Sequence, residues 1–255
     1  MGRNDLTGRV ALVTGGAQGL GAAHCRRLAA DGALVLVNDQ QASEALDAVA
    51  DEVGGLAVVA DISDPDAVAG LMADIKQRHG RLDIVVANHA YMSMSPVLAH
   101  APDDWWKVVD TNLSGTFYLV REAVPIMRAR GEGRIVVIAS EWGVIGWPEA
   151  TAYAASKAGL IAMVKTLGRE LAPEGIIING LAPGVIDTPQ LQVDADSAGV
   201  SLVEMHDIYA RDIPMRRIGR PEEMAAAVSF LCDFRIGSMV GQIVQANGGS
   251  TRSRV

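Results

Sequence analysis

Residues 9 to 21 read RVALVTGGAQGLG. A short apolar, β-branched run that breaks into glycines reads as a buried strand, and the amphipathic stretch that follows, to about Asp31, reads as a helix. Glycines at 15, 19 and 21 allow a tight turn, close approach of backbone amides to a pyrophosphate, and close packing of the helix. The helix N-terminus adds a preference for negative charge. A glycine-rich turn alone is weak evidence, but this one sits in the strand-turn-helix context that dinucleotide binding requires.

Outward from that turn the same alternation repeats. ALVLVN, LAVVAD and LDIVVAN are short apolar runs separated by amphipathic stretches; two long helical stretches then flank RIVVIAS, and IIINGLAP, a further helix and QIVQAN follow. Near-continuously apolar strands between helices imply a parallel sheet covered on both faces. The expectation is an α/β fold, a Rossmann-type doubly wound parallel sheet of seven strands, with residues 1–255 forming a single domain. The one long irregular segment, about 184–215, is too long for a passive connection and reads as a substrate loop. Within it SLVEMHDIYA has helical periodicity, with Leu202, Val203, Met205, Ile208 and Tyr209 on its apolar face. That face either closes over a ligand or packs on the body.

Composition narrows the function classes. The chain has 255 residues, is 49% hydrophobic and carries a formal net charge of -8. An acidic field repels polyanions, so neither a nucleic-acid nor an acidic-membrane partner is expected. Cys25 and Cys232 stand far apart in apolar helical contexts without metal-ligand spacing, which reads as buried free thiols in a reducing compartment. No metal is expected. The polar start MGRNDLTGRV leads directly into the first strand without a leader-like or membrane-spanning apolar stretch, so a cytoplasmic protein is expected.

The second strand ends at Asp39, where a carboxylate can take the adenosine ribose hydroxyls. It would repel a 2′-phosphate, and neither Gln18 nor Gln40 supplies the cation that NADP would want, so NAD is the expected cofactor. Taken alone, Asp39 could instead cap the next helix. Further on, YAASK places Tyr153 and Lys157 four apart on one helical face. A phenol titrates near ~10 in water, so it serves as a base near neutrality only beside something that stabilises the phenolate, such as an ammonium. Ser140, at the end of RIVVIAS, can donate to a carbonyl or alkoxide oxygen, and Asn112 has an amide that could hold a water linking Lys157 to solvent. Singly, these are ordinary surface or strand-end residues.

Together they resemble the short-chain dehydrogenase/reductase family, in its group of about 250 residues, over essentially the whole chain. TGGAQGLG, residues 14–21, matches that family's TGxxxGxG turn, and Asn112, Ser140, Tyr153 and Lys157 match its Asn-Ser-Tyr-Lys tetrad. The resemblance implies that Tyr153 is the acid/base, that Lys157 lowers its pKa and binds the nicotinamide ribose, that Ser140 orients the substrate oxygen and that Asn112 completes a proton relay. It implies cofactor contacts from Gly15, Gln18, Gly19, Leu20 and Gly21 of the turn and from Asp39. Asp61 and Ile62 would contact adenine, Asn88 would lie on the cofactor side of the fourth strand's end, and Pro183, Gly184, Ile186 and Thr188 would hold the carboxamide. It further implies a homotetramer.

The chain departs from the family pattern at three places. Asn88-His89-Ala90-Tyr91 stands where Asn-Asn-Ala-Gly is usual, Ala139 and Glu141-Trp142 flank the serine, and Asn247 stands where Asp is common. A side chain at 91 requires a negative φ, and its ring is expected to shape substrate access. With Met92, Met94, Trp142, Trp147, Leu191, Met205 and Tyr209 it suggests a pocket walled by aromatic and sulfur-bearing groups, suited to an apolar or ring-bearing secondary alcohol. His89 reads as a hydrogen-bonding neighbour. Glu141 reads as a solvated strand-end carboxylate or, if it faces the pocket, as a partner for a cationic group. The expected function is an NAD(H)-dependent oxidoreductase interconverting an alcohol and a ketone. The alternatives are a 3-oxoacyl-carrier-protein reductase and a non-catalytic dinucleotide-sensing or scaffold protein.

Overall fold

The structure is a computed structural model that describes residues 4–251. The elements run β1 (Val10–Thr14), α1 (Gly19–Ala30), β2 (Leu34–Asp39), α2 (Glu44–Glu52), β3 (Leu56–Val59), α3 (Pro65–His79), β4 (Ile84–Ala87) and α4 (Pro102–Val109). They continue with α5 (Gly115–Arg128), β5 (Gly133–Ile138), α6 (Trp142–Ile145), α7 (Thr151–Leu171), β6 (Ile176–Pro183), α8 (Gln190–Ala198), α9 (Leu202–Asp212), α10 (Pro221–Leu231) and β7 (Ile243–Ala246). The seven strands form one sheet in the order β3-β2-β1-β4-β5-β6-β7, with every neighbouring pair parallel.

The continuous apolar character of the strands has a direct cause in this sheet. Along β1, Val10 and Leu12 enter the layer covered by α3, α5 and α7, while Ala11 and Val13 enter the layer covered by α1, α2 and α10. Alternate side chains point to opposite faces, so a strand with a helical layer on each side must be apolar at every position. Cys25 and Cys232 lie buried as free thiols in the second layer.

The strand order places the site. The chain winds outward from β1 to β3, then returns to lay β4 on the other flank of β1 and winds outward again to β7. At such a switch point the connections after the two central strands diverge and leave a crevice at their carboxyl ends. The turn after β1, Asp39 at the end of β2, Asn88 after β4, Ser140 after β5 and Pro183 at the end of β6 all open onto that edge.

The segment 184–215 is more ordered than its sequence implies: it carries two helices, α8 and α9. The second starts with a capping box, Ser201 Oγ accepting from Glu204 N at 3.2 Å and Glu204 Oε2 accepting from Ser201 N at 2.8 Å. Met205 is buried with Leu191, Ala195, Ile213 and Ile218 in a small separate cluster, whereas Leu202, Val203 and Ile208 face outward. The apolar face read from the sequence is thus split, and part of it packs on α8. No helix among the described residues is long and apolar enough to cross a membrane.

Candidate active site

The glycine-rich turn is shaped by contacts that leave no room for side chains. A methyl on Gly21 would fall 1.9 Å from the Gly15 carbonyl oxygen, and Gly15 itself has φ 62°. Gln18, the residue before α1, is extended and its side chain does not cap the helix, so the first-turn N–H groups lack a side-chain acceptor there. Asn88 fixes the turn from the other strand, its amide donating to the Thr14 and Gly15 carbonyls at 3.0 and 3.1 Å.

These residues wall a cavity of about 470 Å³ that also takes in Gln18, Gly19, Leu20, Asp39, Asp61 and Ile62. Asp39 does not cap α2: that helix is capped by Ser43, which accepts from Leu46 N at 3.1 Å. The Asp39 carboxylate instead faces the glycine turn, accepting from Ala17 N at 3.3 Å and Gln40 N at 2.8 Å. An open helix N-terminus, two glycines pressed together and a carboxylate at the tip of β2 fit a dinucleotide that carries a free ribose 2′-hydroxyl.

A second cavity of about 270 Å³ joins the first, the two sharing Leu20, Asn88, Ala90, Thr188 and Gln190. Ser140, Tyr153, Lys157, Pro183, Gly184 and Ile186 line it. Tyr153 and Lys157 stand one turn apart on α7, as their spacing requires, with the Lys157 Nζ 5.5 Å from the Tyr153 ring centroid. The lysine is 1% exposed, donates to the Ile138 carbonyl at 2.7 Å, and is pushed down to about 8 by burial. Burial pushes the Tyr153 phenol up to about 12, while the Ser140 hydroxyl beside it acts in the opposite direction. The ammonium therefore survives at neutral pH, one helical turn from a phenol that needs it.

Asn112 is placed differently from the expectation. It lies in a π-helical turn, Asp110–Ser114, between α4 and α5 and is fully buried. Its Nδ2 donates to the Tyr91 carbonyl at 3.0 Å and to Ser156 Oγ at 3.1 Å, and its Oδ1 accepts from Tyr91 N at 2.7 Å. Both amide hydrogens are thus committed to protein groups rather than offered to a water.

The strand-end sequence ANHAYM resolves into separate jobs. His89 Nδ1 pairs with Thr14 Oγ1 at 2.7 Å, and burial, reinforced by Lys157, drives the imidazole down to about 3, so it stays neutral. Tyr91 has an ordinary negative φ, since Glu149 and Arg216 are the only non-glycine residues with positive φ among those described. Its ring lines the larger cavity, not the smaller one: its hydroxyl donates to Asp104 at 2.9 Å and Lys107 Nζ sits 4.2 Å above the ring. Tyr91 is therefore on the dinucleotide side, against the expectation that it walls the substrate pocket.

Of the other expected wall residues, Met92, Trp142, Leu191 and Tyr209 line the smaller cavity. Trp147 stacks on Trp142 at 5.1 Å, Met94 is exposed, and Met205 is buried beneath. Trp142 also meets Tyr153 edge-on at 5.8 Å. Two groups at these cavities were not anticipated as wall residues, and a third, Glu141, takes the pocket-facing one of the two positions read from its sequence context. Lys107 brings a cation to the larger cavity, Asp194 joins the smaller one with Tyr209 donating to it at 3.2 Å, and Glu141 is buried rather than solvated. Each depends on a neighbour distant in sequence or on an unanticipated helix.

Comparison with known proteins agrees with this geometry. A family model described as enoyl-(acyl carrier protein) reductase matches residues 15–251. A 2-dehydro-3-deoxy-L-rhamnonate dehydrogenase (NAD(+)) of Sphingomonas sp. (strain SKA58) is 40% identical over 246 residues, covering 96% of both chains. A 3-oxoacyl-[acyl-carrier-protein] reductase of Thermotoga maritima is 34% identical, covering 96% of this chain and 98% of that one. The crystal structure of levodione reductase superposes with a TM-score of 0.91 at 32% identity, covering 96% of this chain and 98% of that one.

Proposed function

This chain belongs to the short-chain dehydrogenase/reductase family of oxidoreductases, and from that premise we propose that it is an NAD(H)-dependent enzyme interconverting a secondary alcohol and a ketone. The observation that carries the reading is the convergence of Ser140, Tyr153 and Lys157 on a pocket continuous with the cavity that Asp39 borders. The relative named as an NAD(+) dehydrogenase supports the choice of cofactor, as does the carboxylate at position 39.

When bound, the dinucleotide supplies a ring carbon that accepts or gives up hydride. The rest falls to side chains of this protein. Gly15, Gln18, Gly19, Leu20 and Gly21 would hold the pyrophosphate, Asp39 would take the adenosine ribose, and Asp61 and Ile62 would border the adenine, all of them lining the larger cavity. Asn88, Pro183, Gly184, Ile186 and Thr188 would hold the nicotinamide end. Ser140 Oγ donates to the substrate oxygen, which fixes the carbinol against Tyr153. As a phenolate, Tyr153 takes the alcohol proton during oxidation and becomes the phenol, which gives that proton to the substrate oxygen during reduction. Because burial alone disfavours the phenolate, the Lys157 ammonium must lower the cost of that charge. Asn112 keeps the β4 end and α7 in register beneath these groups.

Met92, Trp142, Val185 and Leu191 give the smaller cavity apolar walls, which suits an apolar or ring-bearing substrate. A second reading, a 3-oxoacyl-carrier-protein reductase, is favoured by the Thermotoga relative. Asp39 weighs against it wherever such a reductase depends on NADPH. The exposed Trp106 on α4 and Phe117 on α5 support assembly of copies through these helices, and a homotetramer is the proposed assembly. The buried free thiols support a reducing, cytoplasmic setting.

A panel of secondary alcohols offered with NAD and, separately, NADP, followed by absorbance of the reduced nucleotide, tests the proposal. Reduction of NAD by ring-bearing alcohols is the expected result. Turnover only of a 3-oxoacyl thioester with NADPH would replace it with the second reading, and binding of NAD without turnover of either class would favour a non-catalytic role.

A further inference from the structure

Glu141 follows Ser140 directly and opens the short α6 turn, and its backbone is held at both ends of the pocket floor. Its N–H donates to the Pro183 carbonyl at 2.9 Å, while its own carbonyl accepts from Val144 N at 2.8 Å and Ile145 N at 3.0 Å. The side chain lines the smaller cavity with Ser140 and Tyr153, yet the residue is 5% exposed. Its Oε2 has no hydrogen-bond partner among the described residues. A buried carboxylate oxygen without a donor is costly, and a donor brought into the cavity that Glu141 lines would offset that cost.

The neighbours make the position hostile to an anionic ligand. Burial pushes the Glu141 carboxyl above the usual carboxylate range, and the Asn247 side chain acts in the opposite direction. Gly184 leaves the gap in which the two meet: a methyl there would lie 2.8 Å from Asn247 Cβ and 3.3 Å from Glu141 Oε1. An aspartate at 247, common in the family, would set two buried carboxylates against each other. Asp194 adds a second carboxylate to the wall, and Lys157, already donating to Ile138, is the only cation among the described residues that line it.

We infer that Glu141 is a specificity-determining residue, accepting a hydrogen bond from a donor group, a hydroxyl or a protonated amine, carried by the substrate beside its reacting carbinol. This rests on the alcohol dehydrogenase reading and narrows it: the substrate is a ring-bearing alcohol with one polar donor and no carboxylate. The Glu141 carboxyl group meets the donor, and the apolar wall formed by Trp142 and Leu191 takes the remaining ring surface.

The test compares kcat/KM for cyclohexanol, trans-cyclohexane-1,2-diol and trans-2-aminocyclohexanol with NAD, in the wild type and in Glu141→Leu and Glu141→Gln. The wild type should favour at least one donor-bearing alcohol over cyclohexanol by about ten-fold or more, the usual worth of a charge-assisted hydrogen bond. Glu141→Leu should bring that ratio to near one while cyclohexanol turnover stays within about three-fold. In Glu141→Gln, which keeps an acceptor and loses the charge, a surviving diol preference identifies a hydroxyl, and selective loss of the amino alcohol preference identifies an ammonium. Asn247→Asp should weaken the same preference without touching cyclohexanol. A wild type without preference, or a ratio unchanged in Glu141→Leu, overturns the role of Glu141 while leaving the dehydrogenase intact. Absence of NAD reduction with all three alcohols and with the wider panel overturns the dehydrogenase reading and this one with it.

Discussion

Asn112 grips Tyr91 by both backbone groups, its Oδ1 accepting from the Tyr91 N–H at 2.7 Å and its Nδ2 donating to the Tyr91 carbonyl at 3.0 Å. One amide thus completes a short piece of ladder for a chain that has just left β4, and through Ser156 it ties that chain to the helix bearing Tyr153 and Lys157. Asn112→Ala should leave these buried groups without partners, at a cost of about 2 kcal/mol or more. The urea midpoint and kcat/KM should fall together. A variant with wild-type stability and lower turnover alone would show that Asn112 acts on the chemistry and not on the scaffold.

Tyr153→Phe keeps the ring against Trp142 and removes only the hydroxyl. Loss of a positioned acid/base costs about 10²- to 10⁴-fold in rate, so turnover should fall by that order while NAD still binds. Titration of bound NAD by intrinsic fluorescence and a steady-state assay on the same preparation check both halves. Residual activity within a few-fold of wild type would remove Tyr153 from the mechanism.

Asp39 faces the glycine turn from the tip of β2, where a 2′-phosphate would meet its charge. Asp39→Ala should lower the ratio of NAD to NADP catalytic efficiency by about ten-fold or more, the scale of removing a charge repulsion in a half-buried site. Lys107, also on this cavity, would add to the gain for NADP if its ammonium can leave the Tyr91 ring. An unchanged ratio would mean that discrimination resides elsewhere in the groove.

Tyr91 stands on the dinucleotide side, pinned to Asp104 by its hydroxyl and covered by Lys107. Tyr91→Ala should therefore alter the KM for NAD and leave the relative rates across an alcohol panel within about two-fold, the spread of a surface change away from the pocket. A reordered panel would return Tyr91 to the substrate side.

That residue also marks where the sequence stops being legible. The sheet could be read from its strands because burial on both faces forces apolar residues at every position, and the placing of Tyr153 beside Lys157 could be read because both are local to one helix. The direction of the Tyr91 ring was not readable, because it is set by Asp104 on α4, and neither was the burial of Glu141, because Gly184 and Asn247 arrive from β6 and β7. The helix α8 was hidden for a different reason. Its sequence QLQVDADSA buries only Leu191 and Ala195, too few apolar positions to show a helical stripe without the partner it packs on.

His24 is a fully buried imidazole on α1 with neither ring nitrogen hydrogen-bonded among the described residues, and burial drives it from 6.5 down to about 3. The unfolded chain protonates this group near pH 6.5 and the folded chain only near 3, so within that window the unfolded state binds the extra proton. Stability linked to His24 is therefore complete above 6.5 and is lost as the pH falls toward 3, at up to about 1.4 kcal/mol per pH unit. His89, driven down to about 3 as well, adds to the same slope but keeps its bond to Thr14. His24→Leu should remove one share of that slope and also raise stability at pH 7 by about 1 kcal/mol or more, because an apolar side chain replaces a desolvated polar one. Urea midpoints at pH 7 and pH 5 decide it: the wild type should lose more between the two than the variant does. Equal losses would mean that His24 reaches a hydrogen-bond acceptor or solvent in the folded protein, and its imidazole would then be no source of acid sensitivity.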